Sequence, residues 1–129
     1  DAVAVARRFN SADHYLFSVP MWNFGVPYPL KHYIDVVTLA GENWSWSRAE
    51  GYKSLLVGKK ALLVYASAGD YGPNDPSDFQ KPYLGRWLNF IGVIDIQEIT
   101  VAPTLADADT LSRTRCRADA AAVQLATIF

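Results

Sequence analysis

A single cysteine, Cys116, leaves no partner for an intrachain disulfide, and beside only two histidines it offers no zinc-ligand spacing. No resident metal is expected, and a reducing cytoplasm suits the composition. An excess of charge of one sign is also missing. Lys and Arg number 12 against 13 Asp and Glu, a net charge of -1. The basic residues are scattered, so no face can track a phosphate backbone, and nucleic acid is not an expected partner. No apolar run approaches the roughly 20 residues that span a bilayer, and no charged stretch precedes a short apolar segment at the start. No membrane partner is therefore expected. The Asn43-Trp44-Ser45 triplet matches a glycosylation acceptor, a pattern short enough to arise by chance. Internal repeats and low-complexity tracts are absent, so residues 1–129 read as belonging to one domain. What is present is a chain half hydrophobic and 19% charged, enough for a core. It begins at Asp1 without Met, and Ala2 to Asn10 read as the tail of a helix, so the chain is expected to be entered partway through a longer domain.

Periodicity orders the rest. Val5, Phe9 and Ala12 recur at helical spacing, and Tyr15 to Val19 form a short aromatic and branched run that suits a strand. Pro20 to Pro29, with three prolines and a glycine, reads as a loop. Leu30, Tyr33, Ile34 and Val37 then mark a helical face, with Gly41 as the expected stop. Trp44 and Trp46 alternate with serines inside Glu42 to Gly58, as in a hairpin-like excursion. Ala61 to Ala66 is apolar at every position, the pattern of a parallel strand covered on both faces. A second Gly/Pro-rich loop, Ser67 to Pro76, precedes Leu84, Trp87, Leu88 and Ile91 on one helical face ended by Gly92. Val93 to Ala102 reads as a strand and Leu105 to Ala126 as a helix, with Leu111, Ala118, Ala122 and Leu125 facing inward. Strands alternating with helices imply a parallel sheet with helices on both faces, a doubly wound α/β sandwich of three layers. Ligands of such folds sit at the carboxyl ends of the strands. Both Gly/Pro-rich loops leave from that edge.

These two loops carry the candidate chemistry. Pro20 ends a strand, Met21 and Trp22 offer polarizable flat surface, and Asn23 brings a donor and an acceptor. In the second loop, Ser67, Ala68 and Gly69 are small enough for backbone N–H groups to approach a ligand, and Tyr71 can act as an aromatic lid. Core packing for Met21 and Trp22, and a plain turn for Gly69, remain open from spacing alone.

Taken together, the motifs resemble those of FMN-dependent NADH-azoreductases and related NAD(P)H-quinone reductases of the flavodoxin-like superfamily. That family carries P-M-Y-N-F at the end of its third strand, then L-K-x-(Y/W)-(I/F)-D. Here Pro20-Met21-Trp22-Asn23-Phe24 precedes Leu30-Lys31-His32-Tyr33-Ile34-Asp35. Gly58-Lys59-Lys60-Ala61, Pro82-Tyr83-Leu84 and Phe90-Ile91-Gly92 match further family segments, and the likeness runs from about Ala12 to Leu105. The resemblance implies a homodimer that binds FMN, takes a hydride from NADH or NADPH and passes it to a quinone or azo compound. The cofactor carries the hard step, so no catalytic side chain is expected. Met21, Trp22, Asn23 and Phe24 would line one side of the isoalloxazine. Ala66, Ser67, Ala68 and Gly69 would clamp the other, and Tyr71 would stand on the substrate side.

Three departures accompany the likeness. Ser67-Ala68-Gly69 stands where many relatives read Arg-Gly-Gly, which removes a cation and adds a methyl. Trp22 replaces the usual Tyr. The family's first strands and its serine-rich phosphate loop fall upstream of Asp1, so this chain is expected to be the C-terminal part of a flavodoxin-like domain. The alternative is a flavin-free module of the same fold that serves dimerisation or interaction.

Elsewhere the residues read blandly. His14 and His32 suit the surface. Asp70, Asp75 and Asp78 fit no calcium loop and suit a solvated one. Cys116 shares its helical face only with Arg113 among the neighbouring arginines, which is weak activation for a thiol. Trp44, Trp46 and Trp87 suit either a subunit interface or the core.

Overall fold

The computed structural model describes residues 1–129. Along the chain come α1 (Ala2–Asn10), β1 (His14–Pro20), α2 (Tyr28–Val37), β2 (Trp44–Ser47), β3 (Gly51–Ser54), β4 (Lys60–Ala66), α3 (Lys81–Ile91), β5 (Asp95–Val101) and α4 (Ala108–Leu125). The strands β1, β4 and β5 form one parallel sheet in that spatial order, while β2 and β3 pair antiparallel as a separate hairpin. Pro20 lies opposite Ala66, and Ala66 opposite Val101, so all the parallel strands end at one height. Whatever follows those ends shares one rim.

The β4 strand shows why the sheet is double-sided. Ala61, Leu63 and Tyr65 are fully buried on the face that carries α1, α2 and α3, where they meet Phe9, Ile34, Val37, Leu84, Leu88 and Ile91. Each fully buried side chain of this kind contributes about 1.5–3 kcal/mol relative to exposure. Leu62 and Val64, alternating with them, point to the other face, and there α4 packs on β5 through Thr114 and Ala118 near Ile99. Cover on that second face is incomplete, contrary to the uniform burial expected for Ala61 to Ala66. Helix α4 lies over β5 only, which leaves Leu62 and Val64 half-buried and Leu16 of β1 66% exposed.

Aromatic packing orients the buried face. Phe9 stacks on Tyr15 at 4.4 Å between ring centres and lies 5.8 Å from Trp87. Trp87 is therefore a core residue, and its indole N–H donates to the Thr38 hydroxyl at 2.8 Å. Trp46 is exposed on the hairpin, whereas Trp44 is half-buried against Tyr52 and Phe90.

Several expected boundaries move. Pro20 belongs to β1 and Pro29 to the first turn of α2, where a missing N–H costs nothing, so the first loop is shorter than Pro20 to Pro29. Helix α2 stops at Val37, ahead of Gly41. The buried Asn43 amide donates to the Val37 carbonyl and accepts from the Leu39 N–H, so a side chain ends the helix. The same burial excludes glycan attachment at Asn43. Helix α3 ends as expected at Gly92, whose φ of 104° is left-handed. Helix α4 starts at Ala108 because Asp107 caps it by accepting from the Thr110 N–H, which leaves Leu105 outside. Ala118 is buried and Leu111 and Leu125 half-buried as expected, whereas Ala122 is exposed and the stripe is completed by Thr114 and Ala121.

Candidate functional site

The first turn leaves β1 at Pro20 and is locked at once to the neighbouring strand, because the Met21 N–H donates to the Ala66 carbonyl at 2.7 Å. Trp22 and Gly25 then exchange two backbone hydrogen bonds of 3.0 Å, closing a two-residue turn over Asn23 and Phe24. Such a turn needs both central residues left-handed, and they are, with φ of 48° and 69°. Asn tolerates that region. Phe does not, so its presence at φ 69° is a strained feature held by its surroundings. Side chains of this turn stand outward: Trp22 is 51% and Phe24 54% exposed.

The second turn follows β4. Ser67 is buried, and its polar atoms are spent within the protein: its N–H donates to the Val101 carbonyl, its hydroxyl to the Gly69 carbonyl, and its own carbonyl accepts from Thr104. Ser67 therefore shapes the loop, and Ala68 and Gly69 form its exposed part. A Cβ built on Gly69 would meet only the Tyr71 ring, 3.6 Å away at Cε2. The backbone N–H groups of Asn23, Phe24, Ala68 and Gly69 donate to nothing within the chain, and all are at exposed residues. Two turns from neighbouring strands thus present unpaired donors, an exposed Asn amide and aromatic surface at a common rim. That donor set suits the acceptor-rich edge of a flat heterocycle.

The sequence reading missed the residues that join the turns. The Phe79 N–H donates to the Phe24 carbonyl at 2.9 Å, and the Gln80 side-chain amide donates to the Val19 carbonyl at 2.9 Å. The exposed Phe79 ring, 64% accessible, extends the aromatic rim. Asp78 is a correction. It is buried rather than solvated, and its carboxylate accepts from the N–H groups of Gln80 and Lys81 and from the Lys81 ammonium at 2.8 Å. Burial pushes its carboxyl up, but those bonds outweigh it and hold the group below the usual carboxylate range. An Asp two to three residues ahead of a helix was the available signal. Lys81 also lies 5.7 Å from the centre of the Tyr65 ring, and the Tyr65 hydroxyl donates to Glu98. Burial pushes that phenol up, with Glu98 adding to it, so it stays a neutral donor.

The second turn also borders a cleft of about 810 Å³ beside the β5 edge, lined by Asp70, Tyr71, Asp78, Lys81, Glu98 and Arg117 among others, so Tyr71 faces this hollow as well as Gly69. Most of these charges are engaged within the protein, Arg117 on the Ala102 carbonyl and Lys81 on Asp78. No group of three or more His, Cys, Asp or Glu residues is placed to hold a metal ion. No helix is long and apolar enough to cross a membrane.

Parallel strands in this order, helices on both faces and paired turns at the carboxyl rim define an α/β protein of the doubly wound class. A family profile described as the flavodoxin-like fold matches residues 1–124, and the chain belongs to that family. It is 42% identical over 124 residues to an FMN-dependent NADH:quinone oxidoreductase of Desulfotalea psychrophila, covering 95% of this chain and 58% of the relative. A second such oxidoreductase, from Burkholderia lata, is 41% identical over 118 residues, covering 86% of this chain and 56% of the relative. Among solved structures, an FMN-dependent NADH-azoreductase from Bacillus anthracis in complex with FMN superposes with a TM-score of 0.82 at 29% identity. It covers 97% of this chain and 61% of that one. Another Bacillus anthracis azoreductase gives 0.88 at 26% identity, over 99% of this chain and 62% of that one. The chain thus spans about three fifths of the length of these relatives.

Proposed function

We propose that this chain forms the ring-binding side of an FMN-dependent NAD(P)H oxidoreductase that reduces quinones or azo compounds. The observation that carries the reading is the common rim, with Met21 bonded across to Ala66 and unpaired donors on both turns. The similarity to quinone oxidoreductases and azoreductases supports the same assignment. Bound FMN would supply the hydride chemistry. The chain's residues hold the ring: Met21, Trp22 and Phe24 cover one side, and the Asn23 amide bonds its polar edge. On the other turn Ala66 and Ser67 fix the loop, and the N–H groups of Ala68 and Gly69 face the ring edge. Tyr71 stands on the side where substrates enter, and no side chain is assigned an acid or base role. One open face serves the nicotinamide donor and the acceptor in turn, a ping-pong order.

The exposed rings of Trp22, Phe24, Tyr28 and Phe79 support a homodimer, since aromatics are enriched at subunit contacts. The free Cys116 suits a reducing cytoplasm. The free outer edge of β1 and the exposed Leu16 support a larger domain in which residues 1–129 are the C-terminal part.

The test is purification of the whole protein that contains this chain. Visible flavin absorption, and oxidation of NADH or NADPH with a quinone or azo dye giving parallel double-reciprocal lines, are expected. A colourless dimer that takes up no added FMN would remove the redox assignment and favour an interaction module.

A further inference from the structure

Gln80, the residue just before α3, reaches β1 by its side chain, and it is completely buried, with 0% exposure. Because Val19 offers a carbonyl acceptor, the amide end facing it must be the NH2 group. The other end, Oε1, has no partner. An unpaired buried acceptor is destabilising, and an apolar side chain of the same shape would avoid that penalty. The amide is thus favourable only through its bond to Val19.

That bond has a specific geometric effect. Gln80 holds the Val19 carbonyl, just before the first turn, and its neighbour Phe79 holds the Phe24 carbonyl within it. Two successive residues therefore grip Pro20 to Phe24 near both ends. Their own placement is fixed by Asp78, whose carboxylate accepts the N–H groups of Gln80 and Lys81. The left-handed Asn23 lies between the two grips, and the strained Phe24 carries the second.

Resting on the reading of the rim as a flavin-ring site, we propose that Gln80 is its positioning residue, holding the first turn at a fixed height and distance from the second. Gln80 does not touch the ring. It sets where Trp22, Asn23 and Phe24 stand when the ring arrives, so that the turn is not reorganised on binding.

The experiment compares Gln80→Met and Gln80→Leu with the unaltered whole protein. Both keep a side chain of similar size and remove the donor to Val19. Melting temperature, FMN Kd by fluorescence titration and amide hydrogen exchange of the FMN-free protein are measured. Gln80→Met is expected to melt within about 4 °C of the parent. Exchange at Gly25 and Phe79 is expected to rise about tenfold or more, with Leu63 and Leu88 unchanged. FMN Kd is expected to rise by about tenfold, and Gln80→Leu to follow the same pattern. Parental exchange at Gly25 and Phe79 in Gln80→Met would overturn the proposal. So would a uniform rise that includes Leu63 and Leu88, which marks a residue of general structural importance, or parental behaviour of Gln80→Leu. Failure of the unaltered protein to bind FMN would sink the functional reading instead, while the exchange comparison would still decide whether Gln80 holds the turn.

Discussion

Replacing Phe24 by glycine separates what this residue does for the fold from what it does at the rim. At φ 69° an L-residue is held in the left-handed region, at a cost of roughly 1–2 kcal/mol that glycine does not incur. Glycine loses about 0.5–1 kcal/mol in chain entropy on folding. Full burial of a Phe is worth about 1.5–3 kcal/mol, and with 54% of Phe24 exposed roughly half of that, about 1 kcal/mol, is at stake. Gains and losses nearly cancel, so Phe24→Gly is expected to change stability by no more than about 1 kcal/mol, or about 4 °C in melting temperature. The ring contact is not compensated. Stacking of an aromatic side chain on a heterocyclic base is worth about 1–3 kcal/mol, so FMN Kd is expected to rise roughly tenfold or more. Calorimetric melting of the FMN-free protein and fluorescence titration with FMN measure the two effects separately. Phe24→Val, branched at Cβ in the same left-handed position, supplies the control and is expected to destabilise the fold. A glycine variant that melts far below the parent, or that keeps parental FMN affinity, would refute the separation of strain from recognition.

Asn23→Gly keeps the left-handed turn but removes the exposed amide, so FMN Kd is expected to rise several-fold with little change in melting, as read by titration and calorimetry. Gly92→Ala places a Cβ onto the Leu56 carbonyl oxygen at a left-handed position, and a melting temperature lowered by well over about 5 °C is expected. Asp78 has a carboxyl held below its ordinary value in the folded protein. Its stabilisation is therefore complete above about pH 4, the unfolded value, and is lost as pH falls through the depressed folded value. Melting profiles across acid pH should accordingly fall more steeply for the parent than for Asp78→Asn.

Much of this architecture was legible because hydrophobic period is local. Ala61 to Ala66 declared a parallel strand, and Leu84, Trp87, Leu88 and Ile91 declared the helix that packs beside it. The two turns could be placed on one rim because strand ends in a doubly wound sheet share an edge. What stayed hidden depended on contacts distant in sequence. No helical or strand period marks Asn43 as the group that ends α2, and its burial depends on Asn10, 33 positions away, which meets it only in the folded chain. The same holds for Gln80, 61 positions from Val19. Asp78 was misread because three acidic residues in a Pro/Gly-rich loop look solvated until the position of the helix start is known.

The rim's chemistry has a consequence for how a ligand is recognised there. From Met21 to Phe24 and from Ala66 to Gly69 no side chain is ionisable, and the first charge beyond them is Asp70. Ring binding as proposed at these turns would consequently be a matter of backbone dipoles, one amide side chain and aromatic surface. Neutral groups of this kind respond weakly to ionic strength, whereas a phosphate held by cations or a helix terminus responds strongly. Most of the salt dependence of FMN binding in the whole protein should therefore come from the phosphate end. Riboflavin, which carries the same ring without the phosphate, should bind this rim more weakly and with little change across salt concentration. A steep salt dependence for riboflavin would mean that an ionised group outside these turns also contacts the ring.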